Sequence, residues 1–353
     1  MSMPRHGPLS RPFRRAPVAR SALLRLSWGL PAVLLSGYLE AVVAAERVVD
    51  MPGVAAFVRE VSQRTGYSLE ELEQVLAEAE VLPAVVEAIS RPAEAKPWYD
   101  YRRIFLTPER IEGGVAFWRE HRAALEKATA QYGVPAAVIV AIIGVETRYG
   151  RNTGSYRVLD SLGTLAFGYP KRAEFFRREL ESFLVLTREE GISPLSPNGS
   201  YAGAMGIPQF MPSSYRRYAV DLDGDGRRDL WRDPDDAIGS VANYLRAHGW
   251  ERGAAVALPA TVTSADVSQL VKAGLKPTLT SGRLLADGVR VNGDFPPESL
   301  GALIQLETRE GYEYWVGLQN FYAITRYNHS PLYAMAVYQL AKEIESAYGG
   351  PGA

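Results

Sequence analysis

The segment "VPAAVIVAIIGVETRYG", residues 134–150, decides the fold. Pro135 can open a helix and Gly150 can end one, and the residues between them are apolar on nearly every side. A helix that is apolar all round is a buried, central helix, so the rest of the chain is expected to pack around it. One carboxylate, Glu146, interrupts the apolar run near its C-terminal end and is therefore the first candidate functional group.

Two effects are expected to raise the pKa of Glu146. Helix C-termini disfavour negative charge, and the neighbouring Ile142 and Ile143 disfavour it by desolvation. A carboxyl group that stays protonated near neutral pH can act as a general acid. The alternative is an ordinary surface glutamate paired with Arg148 or Arg151, and the spacing is compatible with both interpretations.

Composition limits the classes of function that need to be considered. The chain has 353 residues, of which 47% are hydrophobic, enough for one large domain or two to three lobes. A formal net charge of -1 gives no overall excess that would point to nucleic acid. The sequence contains no cysteine, which excludes cysteine-based catalysis, thiolate metal sites and cysteine lipidation. Stability is then expected to come from packing or from a bound ion.

The first 45 residues differ from the rest of the chain. They contain six arginines and one glutamate, and an apolar run that closes on Ala41, Ala44 and Ala45. A basic start, an apolar middle and a small-residue end predict a signal peptide over residues 1–45. An uncleaved membrane anchor and a cytoplasmic start are the alternatives.

After the leader the sequence is mostly helical in pattern, and we expect a mainly α (α+β) fold. Residues 46–134 read as an N-terminal helical lobe, within which the segment from Thr107 to Gly133 reads as one helix. Residues 135–252 form the expected catalytic core. Residues 253–305, rich in Val, Thr, Gly and Pro, predict a small β-containing lobe. Residues 306–353 return to the core and end in a C-terminal helix.

The segment "NGSYAGAMGIPQFMPSSY", residues 198–215, is rich in glycine. Its three glycines are Gly199, Gly203 and Gly206. Glycine lets a backbone pass close to a bulky group, and Ser200, Tyr201 and Gln209 supply hydrogen-bonding groups. The segment lacks the lysine of a phosphate-binding loop, so nucleotide binding is not indicated. The alternative is an ordinary turn-rich connection.

The segment "DLDGDGRRDLWRDPDDA", residues 221–237, resembles a calcium-binding loop. Asp221, Asp223 and Asp225 stand at alternate positions, and Gly226 occupies the sixth position of the EF-hand pattern. Three crowded carboxylates repel one another, and a hard dication removes that repulsion. Oxygen ligands favour Ca²⁺ over zinc or copper. The alternative is a solvated acidic turn.

The end of this loop departs from the EF-hand pattern. Arg227 would offer its backbone carbonyl at position seven, but position twelve holds Arg232 where the pattern requires glutamate. A longer loop would let an acid near the start of the next helix complete the site. Asp236, Asp235 and Asp233 are the candidates.

Several long segments together resemble one family, lytic murein transglycosylase B. They occur in the order seen in that family, and the resemblance covers roughly residues 95–345. The segments are "GVETRYG", "GSYAGAMGIPQFMPSSY", "DLDGDG…DLW", "DAIGSVANYLRAHGW" and "NFYAITRYNHS".

The resemblance implies a goose-lysozyme-like helical core with an accessory helical lobe, a small β lobe and an EF-hand-type loop in the core. It implies cleavage of the β-1,4 bond between N-acetylmuramic acid and N-acetylglucosamine, with formation of 1,6-anhydromuramic ends. It implies a structural Ca²⁺ ion and no organic cofactor. Peptidoglycan glycan strands are the implied partner, cell-wall synthases stay open, nucleic acid is not expected, and we expect a monomer.

The resemblance also assigns roles to individual residues. It makes Glu146 the single catalytic acid and base. The substrate-binding residues that it implies are Tyr101, Lys171, Arg172, Ser200, Met205, Gln209, Tyr244, Tyr327 and Asn328. The calcium ligands that it implies are Asp221, Asp223, Asp225, Arg227 and Asp236, with Asp235 open as the alternative to Asp236.

The chain departs from the family near its N-terminus. Membrane-anchored members carry a lipidated cysteine where "LLSGY" has Tyr38. We therefore expect a periplasmic protein without a lipid anchor. Two alternative functions stay open, a muramidase on the same fold and a non-catalytic, calcium-dependent peptidoglycan-binding protein.

Overall fold

The computed structural model describes residues 46–91, 96–264 and 266–349. The predicted signal peptide over residues 1–45 lies outside the described residues. Within them, no single helix is long and apolar enough to cross a membrane, although the helices Arg122–Tyr132 and Ala136–Thr147, bent by 114° at their junction, pass the length and composition test together.

Helices dominate the described chain, and the predicted fold class is confirmed. In chain order the α-helices are α1 Val54–Thr65, α2 Leu69–Ala77, α3 Pro83–Ser90, α4 Trp98–Phe105, α5 Pro108–Glu120, α6 Arg122–Tyr132, α7 Ala136–Thr147, α8 Val158–Gly168, α9 Ala173–Glu189, α10 Pro212–Tyr218, α11 Pro234–Ala247, α12 Ser268–Lys272, α13 Ser281–Ala286, α14 Gln319–Tyr327 and α15 Pro331–Tyr348.

Helix α7 is the central helix that its sequence predicts. Every residue from Ala137 to Gly144 is buried, because α5, α6, α11 and α15 all pack around it. Its composition leaves no polar face that could meet solvent. Since α5 and α6 pack directly on α7, the predicted boundary at residue 134 does not separate an N-terminal lobe from the core.

The segment predicted as one helix from Thr107 to Gly133 is two helices, and that prediction is wrong. The break is at His121, whose φ of -105° and ψ of 29° are not helical. The imidazole ring packs on Phe117 at 4.5 Å between ring centres, and its Nδ1 lies 3.6 Å from a carboxylate oxygen of Asp235. The contact with Asp235, a residue far along the chain, is invisible in the local pattern.

In the part of the chain that the structure describes, the β-strands form two sheets. They are β1 Tyr156–Arg157, β2 Asn198–Gly199, β3 Ala257–Val262, β4 Leu279–Thr280, β5 Val289–Val291, β6 Leu300–Thr308 and β7 Gly311–Gly317. The larger sheet has the order β4-β6-β7-β3-β5, and all its pairings are antiparallel.

The larger sheet encloses an apolar cluster of its own. That cluster consists of Val267, Leu270, Leu284, Val289, Leu303 and Val316. The β-containing lobe was predicted to end at residue 305, but this boundary falls inside β6. Strand β7 pairs with β6 along its whole length, so the β-containing part extends to Gly317.

The smaller sheet positions the glycine-rich segment. Tyr156 of β1 pairs with Gly199 of β2, and Arg157 pairs with Asn198. This ribbon brings the chain that follows α7 beside the start of the glycine-rich segment, so both enter the same region of the molecule.

Candidate active site

A cavity of about 390 Å³ opens beside the C-terminal end of α7. It is lined by Glu146, Ser200, Tyr201, Ala202, Ala204, Gln209, Phe210, Met211, Ser214, Tyr244, Tyr327 and Asn328. Seven of the residues singled out from the sequence are thus brought together from α7, the glycine-rich segment, α11, and α14 with the residue that follows it. Among the lining residues that the structure describes, Glu146 is the one carboxylate.

Glu146 is half-buried and lines this cavity. Burial raises its pKa from 4.5 to about 7. The hydroxyl of Tyr333, on α15, donates a hydrogen bond of 2.6 Å to Glu146 Oε1, which by itself lowers the pKa. Near neutral pH the carboxyl can therefore either give or accept a proton.

Two tyrosines form an aromatic wall of the cavity, and the hydroxyl group of each donates a hydrogen bond to a backbone carbonyl. Tyr327 Oη donates to the carbonyl of Pro208 at 2.6 Å, and Tyr244 Oη donates to the carbonyl of Arg326 at 2.6 Å. Their rings lie 4.8 Å apart, and burial raises the pKa of both groups, to about 12 for Tyr244. The hydroxyls hold the side chains in place, and the rings offer the apolar surface on which a sugar can stack.

The glycine-rich segment folds tightly against the core. A Cβ on Gly203 would lie 2.4 Å from Leu162 Cδ2, and one on Gly206 would lie 2.4 Å from the carbonyl oxygen of Leu230. Both residues also have positive φ. The glycines allow this close approach of the backbone to Leu162 and Leu230.

Gln209 has an unusual backbone conformation for its residue type, with φ of 53°. Its amide Nε2 donates to the carbonyls of Thr153 at 3.0 Å and Gly206 at 2.9 Å. These hydrogen bonds fix the orientation of the Gln209 side chain, which lines the cavity. A non-glycine residue held in this region is a strained position of the kind that collects at functional sites.

Thr147 connects the end of α7 to the glycine-rich segment. Its buried hydroxyl donates to the carbonyl of Ile207 at 2.8 Å and accepts the N–H of Gly150 at 3.0 Å. Thr147, the residue next to Glu146, thus connects α7 to the glycine-rich segment, and both of these line the cavity.

The other proposed substrate-binding residues lie outside the cavity lining. Met205 is fully buried and pairs through its backbone with Phe210, beneath the surface of the cavity. Tyr101, on α4, lies close enough to Glu146 that the carboxylate, after burial, raises the pKa of its hydroxyl. Lys171 and Arg172 are exposed in a short 3₁₀ turn, and neither lines the cavity.

Sequence reasoning missed Tyr333, the hydrogen-bond partner of Glu146. The residue lies on the buried face of α15, where a tyrosine reads as an ordinary core aromatic. The only signal was its position in "NHSPLYAMAV", close after the segment that carries Tyr327. A contact across 187 positions of sequence has no local pattern.

Three carboxylates of the acidic loop converge. Ligand oxygens of Asp221, Asp223 and Asp236 all lie within 4.8 Å of one another. Asp236 is buried and accepts N–H bonds from Leu222 at 2.7 Å and Asp229 at 2.9 Å, and burial raises its pKa to about 6. A buried carboxylate beside two others is costly without a counter-ion, so this donor set fits a hard divalent cation.

Among the described residues, Asp225, Asp233 and Asp235 are not members of this three-carboxylate cluster. Asp225 Oδ1 accepts the N–H of Arg227 at 2.8 Å, and Asp233 caps α11 by accepting the N–H of Asp235 at 2.8 Å. The Asp235 carboxylate faces His121 at 3.6 Å. Asp236, and neither Asp235 nor Asp233, therefore joins the carboxylate cluster.

The helical core around α7, with one half-buried carboxyl facing an aromatic cavity, is of the lysozyme-like class. The chain belongs to the family of the transglycosylase SLT domain, whose model matches residues 50–342.

Relatives with known names agree with this membership. The chain is 44% identical over 306 residues to membrane-bound lytic murein transglycosylase B of Escherichia coli (strain K12), covering 84% of this chain and 83% of the relative. It is similar to the crystal structure of soluble lytic transglycosylase SltB1 from Pseudomonas aeruginosa, at 51% identity and a TM-score of 0.81, covering 85% of this chain and 100% of that one. It is also similar to Escherichia coli Slt35 in complex with calcium, at 44% identity and a TM-score of 0.79, covering 85% and 95%.

Proposed function

We propose that this protein is a peptidoglycan lytic transglycosylase that cleaves the β-1,4 bond between N-acetylmuramic acid and N-acetylglucosamine. The observation that carries the proposal is Glu146, a carboxyl with a pKa of about 7 and no second carboxylate beside it in the cavity lining. Family membership and the relatives named for murein support the substrate.

Protonated Glu146 acts first as the general acid. It gives its proton to the glycosidic oxygen as the bond to C1 of the muramic sugar breaks, and the N-acetylglucosamine side leaves as an alcohol. The oxygen of the sugar's own 2-acetamido group stabilises the developing cation at C1. The aromatic wall of Tyr244 and Tyr327 supports the proposal, because it can hold the sugar ring while this happens.

Ionised Glu146 then acts as the general base. It takes the proton of the C6 hydroxyl of the same muramic sugar, and the C6 oxygen attacks C1 to close the 1,6-anhydro ring. Glu146 is protonated again at the end, so the cycle balances. A nucleophile already held in the substrate has a proximity advantage over water.

The single carboxylate favours this route over ordinary hydrolysis. Retaining and inverting glycosidases place two carboxyl groups about the bond that they cleave. The other polar residues that line the cavity, among them Ser200, Gln209 and Asn328, include no acid. The substrate's acetamido and C6 hydroxyl groups supply what a second carboxylate would otherwise supply.

We further propose that Asp221, Asp223 and Asp236 hold a structural Ca²⁺ ion. The ion would neutralise the repulsion among these carboxylates. Asp236 lies in the first turn of α11, the helix that carries Tyr244, so an ordered loop would stabilise one wall of the cavity. The complex of Escherichia coli Slt35 with calcium supports this assignment.

A peptidoglycan substrate places the proposed activity in the periplasm. The basic and apolar segment over residues 1–45 would serve as the export signal. Comparing the N-terminal sequence of the protein recovered from cells with the full sequence tests whether that segment is removed.

The experiment that tests the catalytic role compares the wild type with Glu146→Gln in a turbidity assay on purified cell walls. We expect the wild type to clear the suspension and Glu146→Gln to fold normally and lose at least about a thousandfold in rate. Glu112→Gln, at an exposed position of α5, is the matched control and is expected to keep full activity. Appreciable turnover by folded Glu146→Gln would remove this residue from its role, and a wild type that bound cell walls without clearing them would favour a binding protein.

A further inference from the structure

A second cavity lies at the C-terminal end of α7 and shares no lining residue with the catalytic cavity. It has a volume of about 240 Å³. Its lining includes Arg110 of α5 together with Arg148 and Arg151, which belong to the corner that follows α7. The cavity around these three arginines is called the arginine pocket below. Two segments that are distant in sequence build it, so the pocket is a product of the fold.

Arg110 is the one buried cation among the residues that the structure describes, with 9% of its surface exposed. The buried carboxylates of the same part of the chain all have partners or a proposed ion. Asp160 pairs with Arg157 at 2.7 Å, and Glu179 accepts two hydrogen bonds from the start of α10. Asp236 belongs to the proposed calcium site. A buried charge without a partner of opposite sign is costly, so Arg110 is the group for which a counter-ion is expected.

The contacts of the Arg110 guanidinium with the protein leave part of it free. Nη1 donates to the carbonyl of Gly144 in the last turn of α7, and Cζ lies 5.1 Å from the centre of the Phe105 ring. Within the described ranges, Nε and Nη2 have no protein acceptor, and neither nitrogen is sealed from solvent. These two nitrogens are therefore available to a ligand in the pocket that Arg110 lines.

The backbone around the arginine pocket is held by its own hydrogen bonds. The carbonyl of Gly144, which accepts from Arg110, also accepts the backbone N–H of Arg148 at 3.1 Å. The Tyr149 hydroxyl donates to the carbonyl of Arg110 at 2.6 Å. Arg110 and the corner that carries Arg148 and Arg151 are thus held against each other in the absence of any ligand.

No carboxylate in the part of the chain that the structure describes neutralises the arginine pocket. None of Arg110, Arg148 and Arg151 has a carboxylate oxygen within 4.0 Å there. Glu109 lines the same cavity, but it is exposed and forms no ion pair with these arginines. Three guanidinium groups against one carboxylate leave an excess of positive charge, which a small anion would relieve.

The donors of the arginine pocket match a tetrahedral oxoanion. Guanidinium groups donate in pairs to phosphate oxygens. Arg110 would donate from the buried side of the pocket, and the exposed Arg148 and Arg151 would donate from its rim. An anion with four oxygens around one centre accepts from several directions at once, whereas a carboxylate offers two oxygens in one plane.

We propose that the arginine pocket binds an oxoanion of the phosphate class. The anion would bridge Arg110 of α5 to Arg148 and Arg151, and would therefore stabilise the end of α7 that carries Glu146 without entering the catalytic cavity. Free inorganic phosphate and the phosphate of an anionic lipid headgroup share this chemistry, and the experiment separates them. The inference does not depend on the proposed function, because binding is measured without a glycan.

The test titrates the protein with inorganic phosphate at constant ionic strength and measures binding by calorimetry. Arg110→Gln removes the buried cation, and Arg151→Gln removes one exposed cation and serves alone if Arg110→Gln does not fold. Arg119→Gln is the matched control, because Arg119 is an exposed arginine of α5 outside the pocket. A second arm measures co-sedimentation with phosphatidylglycerol vesicles and, for comparison, with phosphatidylcholine vesicles.

We expect the wild type to bind one phosphate ion per molecule. Arg110→Gln should weaken binding at least about tenfold, because a buried charged donor is lost, and Arg151→Gln about two- to fivefold, because that contact is exposed. Arg119→Gln should bind as the wild type does. Phosphate in large excess over its Kd should also raise the Tm of the wild type and of Arg119→Gln, but not that of Arg110→Gln.

The outcomes separate the two sources of phosphate and the failure of the proposal. Binding to phosphatidylglycerol vesicles but not to free phosphate, with loss in Arg110→Gln, would support the same site with a lipid headgroup as its ligand. Absence of saturable binding in both arms would overturn the proposal. Binding with the wild-type Kd in folded Arg110→Gln, or in Arg151→Gln where Arg110→Gln does not fold, would also overturn it, because the anion would then bind elsewhere.

Discussion

Glu146 combines a carboxyl group with surroundings that resist its ionisation. Burial at the end of α7 raises its pKa to about 7, and the hydrogen bond from Tyr333 opposes part of that rise. The two effects together leave the group able to exchange protons at neutral pH. The pKa is thus set by both burial and one positioned hydroxyl, and each contribution can be tested separately.

Removing the ionisable group should stabilise the fold above acidic pH. The pKa of Glu146 is raised from 4.5 to about 7 in the folded protein, so the unfolded chain releases this proton first as pH rises. The wild type therefore loses stability relative to Glu146→Gln between about pH 4.5 and 7, and the difference is constant above that range. We expect Glu146→Gln to be more stable at pH 8 by on the order of 2–3 kcal/mol, measured by thermal or denaturant unfolding. If the difference in stability between Glu146→Gln and the wild type were the same at pH 4 and at pH 8, the raised pKa would be contradicted.

Tyr333→Phe should shift the pH dependence of catalysis. The Tyr333 hydroxyl stabilises the ionised form of Glu146, so its loss raises the pKa of Glu146 further. Because the general acid must be protonated in the free enzyme, we expect the alkaline limb of kcat/KM to move up by about one pH unit. Tyr312→Phe, at an exposed position of the β6–β7 hairpin, is the control. If the alkaline limb of the Tyr333→Phe profile stayed in place or moved to lower pH, the hydrogen bond from Tyr333 would not be what lowers the pKa of Glu146.

At the scale of elements, the corner that follows α7 depends on a notch made of glycines. Tyr149 has φ of 63°, and its side chain lies where Cβ atoms on Gly113, Gly114 and Gly144 would be, at 2.6 to 2.9 Å. Its hydroxyl donates to the carbonyl of Arg110 at 2.6 Å. The chain can therefore turn sharply beyond Glu146 because α5 and α7 both lack side chains at this point.

Gly144→Ala should destabilise the protein although alanine favours helices. The new Cβ would meet the Tyr149 hydroxyl at 2.6 Å, and overpacking of this kind costs about 1–3 kcal/mol. Gly282→Ala is the matched control, because Gly282 also lies in a helix but has no atom within 4 Å of its Cβ position. We expect thermal unfolding to show a lower Tm for Gly144→Ala and an equal or slightly higher Tm for Gly282→Ala. A stabilised Gly144→Ala would contradict the notch.

The sequence predicted those elements whose cause is local. Helix α7 follows from its own apolar run between Pro135 and Gly150, and the acidic loop follows from its alternating aspartates. The break at His121, the contact from Tyr333 and the end of the sheet at Gly317 depend on partners far along the chain. No pattern within one segment contains these partners, so only the structure could supply them.

The residues of the candidate site could also be predicted only in part from the sequence. The resemblance to the family supplied Ser200, Gln209, Tyr327 and Asn328, and the structure places all four in one cavity with Glu146. The physical role of Gly203 and Gly206 could not be read from their spacing, because it lies in their packing against Leu162 and Leu230.

At the scale of the whole molecule, the carboxylate cluster joins elements that the helices alone do not fix. Asp221 and Asp223 belong to the loop, Asp236 belongs to α11, and the Lys127 amino group of α6 donates to the carbonyl of Leu222 between them. A cation there would connect the loop, α6 and α11. Global stability is therefore expected to depend on calcium.

Calcium should raise the Tm of the wild type, and a chelator should lower it. A ligand that binds only the folded state at a hundredfold excess over its Kd adds about 2.7 kcal/mol to the free energy of unfolding. Asp223→Asn removes one carboxylate of the cluster at an exposed position and is expected to lose most of this effect. Asp294→Asn, on the exposed surface of the β-containing part, is the control and should respond as the wild type does. An unchanged Tm of the wild type on adding calcium would contradict the proposed ion.

The central claim is that one carboxyl group, Glu146, cleaves the glycan with the substrate's own C6 hydroxyl as nucleophile. Mass spectrometry of the muropeptides released from purified peptidoglycan tests it most directly. We predict that every new muramic end is a 1,6-anhydro ring, lighter by one water than a reducing end, and that none incorporates ¹⁸O from labelled water. Reducing muramic ends that carry the label would contradict the account and make the protein a hydrolase.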